Sequence, residues 1–338
     1  MKFLIKKYWL LLFFAIVINI PIFIVGVTTT NQEIVLKGDT VPFTSVVEVD
    51  TDYEEKGSFS TIYVVAMYKS TILQNFFSDL TPTTERYTIS EYSSHITNEE
   101  NYLGSKIDYN SSIQKAIILA YSEAKKSDPT INIEYRLKSY DVTYYAKDSL
   151  FRIGDSIIGI NGISIEKEKE FKEEWKKQRL VGDTFDVIVK ETGITTQYVL
   201  ESGYTGFSAS DIYDINMSSI FPSVTINQTN VGGPSGGLLQ TLSIYNRLVK
   251  EDLTHGLKIA GTGTISYDGT VGAIGGIREK IPTALDDGID IFFCASANYK
   301  DAKEAYNSLP NRSSMRLVEI KTFYDALNYL LEGYKNDF

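Results

Sequence analysis

The uncharged run Tyr8–Val27 constrains this chain more than any other feature. Its 20 residues are the length a helix needs to cross the hydrocarbon core of a bilayer. Lys2, Lys6 and Lys7 precede it. A basic tip before an apolar run also describes a signal peptide, but the run is long for one and no convincing small-x-small cleavage pattern follows. Asn19 and Pro21 weaken the helix without forbidding it. The reading is an uncleaved anchor over residues 1–27, single-pass in a cell membrane. By the cytoplasmic bias of basic residues, its N-terminus is inside and everything after Val27 outside.

With 338 residues the chain has room for two or three domains. Its 43% hydrophobic and 22% charged residues fit a globular protein with a membrane part, not a disordered one. A net charge of −10 argues against nucleic acid as partner, since that needs a basic face. Cys294 is the only cysteine. It rules out an intrachain disulfide and, within the apolar run from Ile289, reads as a core thiol. His95 and His255 are the only histidines, and neither belongs to a metal-spaced cluster. No metal or other cofactor is expected. A Ser-His-Asp triad would have to use one of these two, so a base other than histidine is favoured.

Residues 28–130 read as a β-rich segment plus a helix. Short β-branched runs at Glu33–Leu36, Ser45–Val49 and Ser60–Ala66 are separated by turns. Ile113, Ala116, Ile117, Ala120 and Ala124 then recur at helical spacing until Asp128-Pro129. Residues 131–204 read as a small domain. Arg152-Ile153-Gly154-Asp155 leads a strand into Asn161-Gly162, a hairpin signal. A charged helix over 166–179 follows, with Phe171 and Trp175 on one face, then an alternating strand over 183–190. The order and wording resemble a PDZ domain of the bacterial, protease-associated kind. That resemblance implies a groove accepting an extended peptide as an added strand. A structural spacer without a ligand is the other reading.

Residues 205–338 alternate strands and helices. Val231-Gly232-Gly233-Pro234-Ser235-Gly236-Gly237 is a glycine-rich turn, and Leu238, Leu239, Leu242, Tyr245 and Leu248 behind it form a helical apolar face. Ser235 therefore sits near a helix N-terminus, where free backbone N–H groups could hold an oxyanion; Gly233, Pro234 and Gly236 form the expected substrate and oxyanion region, the glycines admitting a substrate carbonyl. A hairpin turning at Asp268-Gly269 delivers the chain to Gly275-Gly276-Ile277-Arg278-Glu279-Lys280. Pro282 fits the helix there only if it lies in the first turn. Alone, the first turn is an ordinary helix cap and Lys280 an ordinary surface lysine. Together they point to a nucleophile and its base.

That pair of motifs strongly resembles the proteolytic domain of Lon-type proteases, in which a Gly-Pro-Ser-small-Gly serine works with the last lysine of Gly-Gly-hydrophobic-basic-Glu-Lys. The resemblance implies Ser235 as nucleophile, Lys280 as base and Thr254 as a threonine that hydrogen-bonds the lysine. Arg278 fills the earlier basic position, and arginine does not deprotonate in proteins. Many Lon enzymes carry aspartate two positions before the proline, where this chain has Gly232. The whole arrangement looks like the membrane-bound YlbL-type proteins of Gram-positive bacteria. The expected architecture is α+β: a transmembrane helix, a β-rich segment, a PDZ-like domain and a Lon-type α/β proteolytic domain. The chain has no G-x-x-x-x-G-K-S/T loop, so ATP-independent cleavage of unfolded or exposed protein segments is the expected activity. A non-catalytic PDZ scaffold is the alternative. Protein or peptide substrates are the expected partners, and the resemblance adds homo-oligomers, since Lon-type domains commonly form rings.

Overall fold

In the computed structural model the N-terminal run is one helix, α1 (Lys2–Val27), continuous through Pro21, and its apolar span is not covered by the rest of the protein. The structure describes all residues except 1, 82–83, 92, 148, 200–204, 230, 310–314 and 334–338. After α1 come β1 (Gln32–Pro42), β2 (Val47–Val49), β3 (Ser58–Met67), α2 (Ile72–Ser78), β4 (Glu85–Thr88) and α3 (Asn98–Ala124). The middle of the chain holds β5 (Tyr135–Tyr145), β6 (Ser156–Ile160), β7 (Ile163–Ser164), α4 (Glu168–Trp175), β8 (Thr184–Val189), β9 (Gly193–Tyr198) and β10 (Phe207–Ile215). The last part holds β11 (Val224–Ile226), α5 (Gly237–Leu248), β12 (Lys258–Thr262), β13 (Thr264–Ile265) and β14 (Val271–Gly272). It ends with α6 (Ile277–Asp286), β15 (Ile291–Ala295), α7 (Ser296–Ser308), β16 (Arg316–Ile320) and α8 (Phe323–Asn328).

Two sheets organise these elements. The first runs β16-β15-β12-β3-β1-β4, parallel from β16 to β3 and antiparallel beyond. Every residue of β15 is buried, as expected where helices cover both faces of a parallel sheet. Residues 28–130 are therefore not a separate layer from 205–338. β1, β3 and β4 complete the sheet that β12, β15 and β16 begin, and β2 pairs with β11. The reason is the parallel register of β3 on β12, which places Ser58–Thr61 beside Lys258–Gly261. α3 is longer than its apolar spacing predicts because its first half is polar. Its start is a capping box between Thr97 and Glu100, and its buried face packs on α5.

The second sheet runs β10-β5-β6-β8-β9, with β7 on β6, around Phe151, Phe171, Phe185 and Phe207. Asn161 and Gly162 both have positive φ, 46° and 75°, as the tight hairpin turn requires. Phe171 and Trp175 stack at 5.8 Å. The helix there is shorter than 166–179. This sheet extends past residue 204, because β10 pairs with β5 along its whole length; residues 200–204 lie outside the described part. The outer edge of β10 is met by α3: Ser111 Oγ donates to the Asp211 carbonyl at 2.8 Å, and the Tyr213 amide donates to Gln114 Oε1 at 2.9 Å. Pro282 lies past the first turn of α6, so the Arg278 carbonyl receives no amide from it. Burial of Ile277, Ile281 and Ala284 holds that helix in place. α8 is followed by a wider helical turn over Tyr329–Gly333.

Candidate active site

The serine turn is fixed from two sides. Gly233 adopts φ +81°, a conformation that favours glycine, and its amide donates to the Ser105 carbonyl of α3 at 2.8 Å. Lys106, also on α3, donates its ammonium to the carbonyls of Thr229 and Val231. The Ser235 carbonyl accepts from the Gly263 amide at 2.9 Å and from the Thr262 hydroxyl at 3.1 Å. Gly237 opens α5, where a Cβ would stand 2.8 Å from Ile265 Cγ2, so the helix start is pressed against the hairpin. These bonds also sort the candidate oxyanion donors. The amides of Gly233, Gly237 and Leu238 are engaged with Ser105, Pro234 and Gly263, and Pro234 has none. Those of Ser235 and Gly236 remain, with no such backbone bond among the described residues.

The lysine turn is held by Asn298, whose side chain accepts from the Ile274 amide and donates to its carbonyl, both at 2.9 Å. Gly276 has φ +68° and packs against Val64 and Val35. α6 then aims Lys280 inward, 1% exposed. Its ammonium nitrogen lies 3.0 Å from Ser235 Oγ and donates to the Ile62 carbonyl at 2.5 Å. Burial disfavours the charged form and pushes the amine down from 10.5 to about 8. Arg278, two residues earlier, faces outward to Glu304 and Asp301.

Ser235 and Lys280 open on a cleft of about 1050 Å³ lined by Val35, Tyr63, Val65, Tyr87, Gly275 and Arg278, among others. One wall is β3. It pairs with β12 only as far as Thr61, while β1 follows its other edge to Met67. From Ile62 onward the edge of β3 on the β12 side carries no strand among the described residues, and Ile62–Ala66 line the cleft.

Thr254 does not take the place expected for it. Its hydroxyl donates to the Asp252 carboxylate at 2.7 Å and accepts from the Gly57 amide at 2.8 Å, which closes the loop ahead of β12. Thr262 is the threonine that touches the serine residue. It is fully buried at the end of β12, and nothing in the sequence set it apart. The Ile62 carbonyl had no signal either, because any residue of a generic β-branched strand supplies one. His255 bonds to the Leu330 carbonyl and His95 packs edge-on against Tyr145; neither lines the cleft. Cys294 is buried, as expected.

Beside Lys280, Glu279 is also buried, and its Oε2 has no partner among the described residues. Burial, then the negative charge of Glu85, raises its carboxyl from 4.5 to about 7. Unfolded, this group loses its proton at 4.5; folded, it keeps it to about 7, so stability falls as pH rises between those values. Glu279→Gln is expected to leave stability nearly unchanged at pH 5. At pH 8 it should raise stability by about 1–3 kcal/mol, read from denaturant midpoints at the two pH values.

Residues 154–333 match the Lon protease (S16) C-terminal proteolytic domain, and this chain belongs to that family of serine peptidases. Among curated relatives, the Lon protease of Mesomycoplasma hyopneumoniae is 27% identical over 154 residues, 46% of this chain and 17% of the relative. The Lon protease of Neorickettsia sennetsu is 32% identical over 103 residues, 30% of this chain and 12% of the relative. That of Metamycoplasma arthritidis is 28% identical over 154 residues, 46% of this chain and 18% of the relative. The match thus spans less than a fifth of each relative. The family match starts inside the second sheet, so β3, which supplies the Ile62 carbonyl, lies outside it.

Proposed function

We propose that this protein is a membrane-anchored, ATP-independent endopeptidase in which Ser235 is the nucleophile and Lys280 the general base. The observation that carries this reading is a buried amine, with its pKa lowered toward neutrality, 3.0 Å from Ser235 Oγ. The neutral amine takes the Ser235 proton as Oγ attacks the peptide carbonyl carbon. The amides of Ser235 and Gly236 receive the oxyanion. Lys280 then returns the proton to the leaving amine, and water, activated by the same amine, releases the acyl group. The substrate lies extended along the bare edge of β3, so it is a chain already unfolded or an exposed loop or tail. Thr262 positions the serine backbone. α1 anchors the chain with its catalytic part outside the cell. The second sheet is a PDZ-like module, and an added strand at the outer edge of β10 has to displace α3.

The test is labelling of the full chain by a fluorophosphonate, which reports serine activation without a substrate. An amine at about 8 is neutral in roughly a tenth of molecules at pH 7; at 10.5 it would be neutral in fewer than one in about a thousand. The labelling rate is expected to rise about tenfold per pH unit below 8 and to level off above it. It should be absent in Ser235→Ala. A rate independent of pH, or one still climbing at pH 10, rejects Lys280 as the base.

A further inference from the structure

We propose that α2 and the residues just after it are a second membrane contact, lying in the headgroup–acyl boundary of the leaflet from which α1 emerges. α2 is amphipathic in the wrong sense for water. The side chains it turns toward the protein include Asn75, bonded to Ser70 and Thr30, and the buried Ser78. The exposed side chains of α2 and the two residues after it are Ile72, Phe76, Phe77 and Leu80, at 43%, 59%, 58% and 67%, beside the polar Gln74 and Asp79, the latter paired with Arg86. A cluster of large apolar side chains of this kind marks an interaction surface. No charged residue occurs between Lys69 and Asp79, and the capping box satisfies the amides of Thr71 and Gln74, which suits a poorly hydrated setting.

Continuity with α1 identifies the occupant as lipid. The Ile72 amide donates to the Thr28 carbonyl, and the Thr30 amide to that of Ser70. Leu73 packs on Gly26 in the last turn of α1. The outward face of α2 therefore starts one residue beyond the end of the apolar span, at the depth where aromatic rings settle in a bilayer. This inference rests on α1 spanning the membrane. It also sets what the cleft can reach. β3 runs from Ile62 at the catalytic pair to Met67 just before α2, about 17 Å of strand. With α2 on the bilayer, the cleft addresses chain segments close to the membrane surface.

The experiment uses the full chain in vesicles of phosphatidylethanolamine and phosphatidylglycerol, with Phe77→Cys or Leu80→Cys carrying a bimane fluorophore. Cys294 is buried and does not compete for the label. Lipids bearing a nitroxide near the headgroup are expected to quench either label at least twofold, and to leave a label at the exposed Leu180→Cys unaffected. Quenching no greater than at Leu180 overturns the proposal. A blue-shifted but unquenched label also overturns it, since a protein partner or a second copy then covers α2. Alkaline carbonate extraction of the same vesicles keeps the two readings apart. Release of the chain sinks the spanning helix; retention of the chain with an unquenched label sinks the α2 contact alone.

Discussion

Lys280→Met is expected to abolish peptide-bond hydrolysis and, at pH 7, to make the protein more stable. The loss follows from the role proposed for the amine: without a base, Ser235 keeps its proton. Removing one member of a nucleophile–base unit lowers turnover by roughly 10⁴ or more. The stability gain follows from the same burial. The folded amine gives up its proton near pH 8 and the unfolded amine near 10.5, so below pH 8 the wild type carries a penalty on the order of 3 kcal/mol. Methionine removes that term but leaves the Ile62 carbonyl without its donor, a loss of about 1–3 kcal/mol. The net gain at pH 7 is therefore about 1 kcal/mol. Between pH 8 and 10.5 the unfolded chain binds more protons, the wild type gains stability with pH, and the advantage of methionine vanishes. Thermal midpoints at pH 7 and pH 9.5, beside cleavage of an unstructured protein, measure both halves. Retention of more than a tenth of wild-type turnover rejects the assignment. Ser235→Ala should lose the same activity with its stability little changed, because the serine turn is held by backbone bonds to Ser105 and Gly263.

A fragment of residues 205–338 is expected not to fold, although it contains Ser235 and Lys280. It lacks β1, β3 and β4, three of the six strands of the main sheet, and it lacks α3, which braces the serine turn. Without β3, the edge of β12 is bare and Lys280 loses both its cover and the Ile62 carbonyl. The buried face of α5 loses its packing partner in α3. The sheet and its core cannot close on what remains. Circular dichroism should show no cooperative melt for 205–338 and a sharp one for 28–338, which keeps every strand. A cooperative transition in the shorter piece contradicts this.

How much of this was legible beforehand depended on whether the signal was local. The hairpin turns at Asn161-Gly162 and Asp268-Gly269, the apolar face of α5 and the apolar run of α1 are patterns carried by adjacent residues, and each appears where the spacing puts it. The two glycine turns likewise meet, and Ser235 and Lys280 touch. What could not be read was pairing across long separations. A β-branched strand such as β3 does not announce its neighbour, so strands read in two separate segments turn out to share one sheet. Thr254 was the threonine the resemblance implied, but it is held by Asp252, and Thr262, for which nothing in the sequence spoke, is the one bonded to the Ser235 carbonyl. The polar first half of α3 showed no periodicity, yet Ser105 and Lys106 there grip the serine turn.

The Ile62 carbonyl and the Lys280 amine are separated by 218 positions in sequence, with Ser235 between them. A chain emerging from the ribosome therefore carries Ser235 before Lys280, and the amine has its buried seat only once β3 and β12 have paired. On the assignment proposed above, competence to cut arrives only when strands from both halves of the chain have joined.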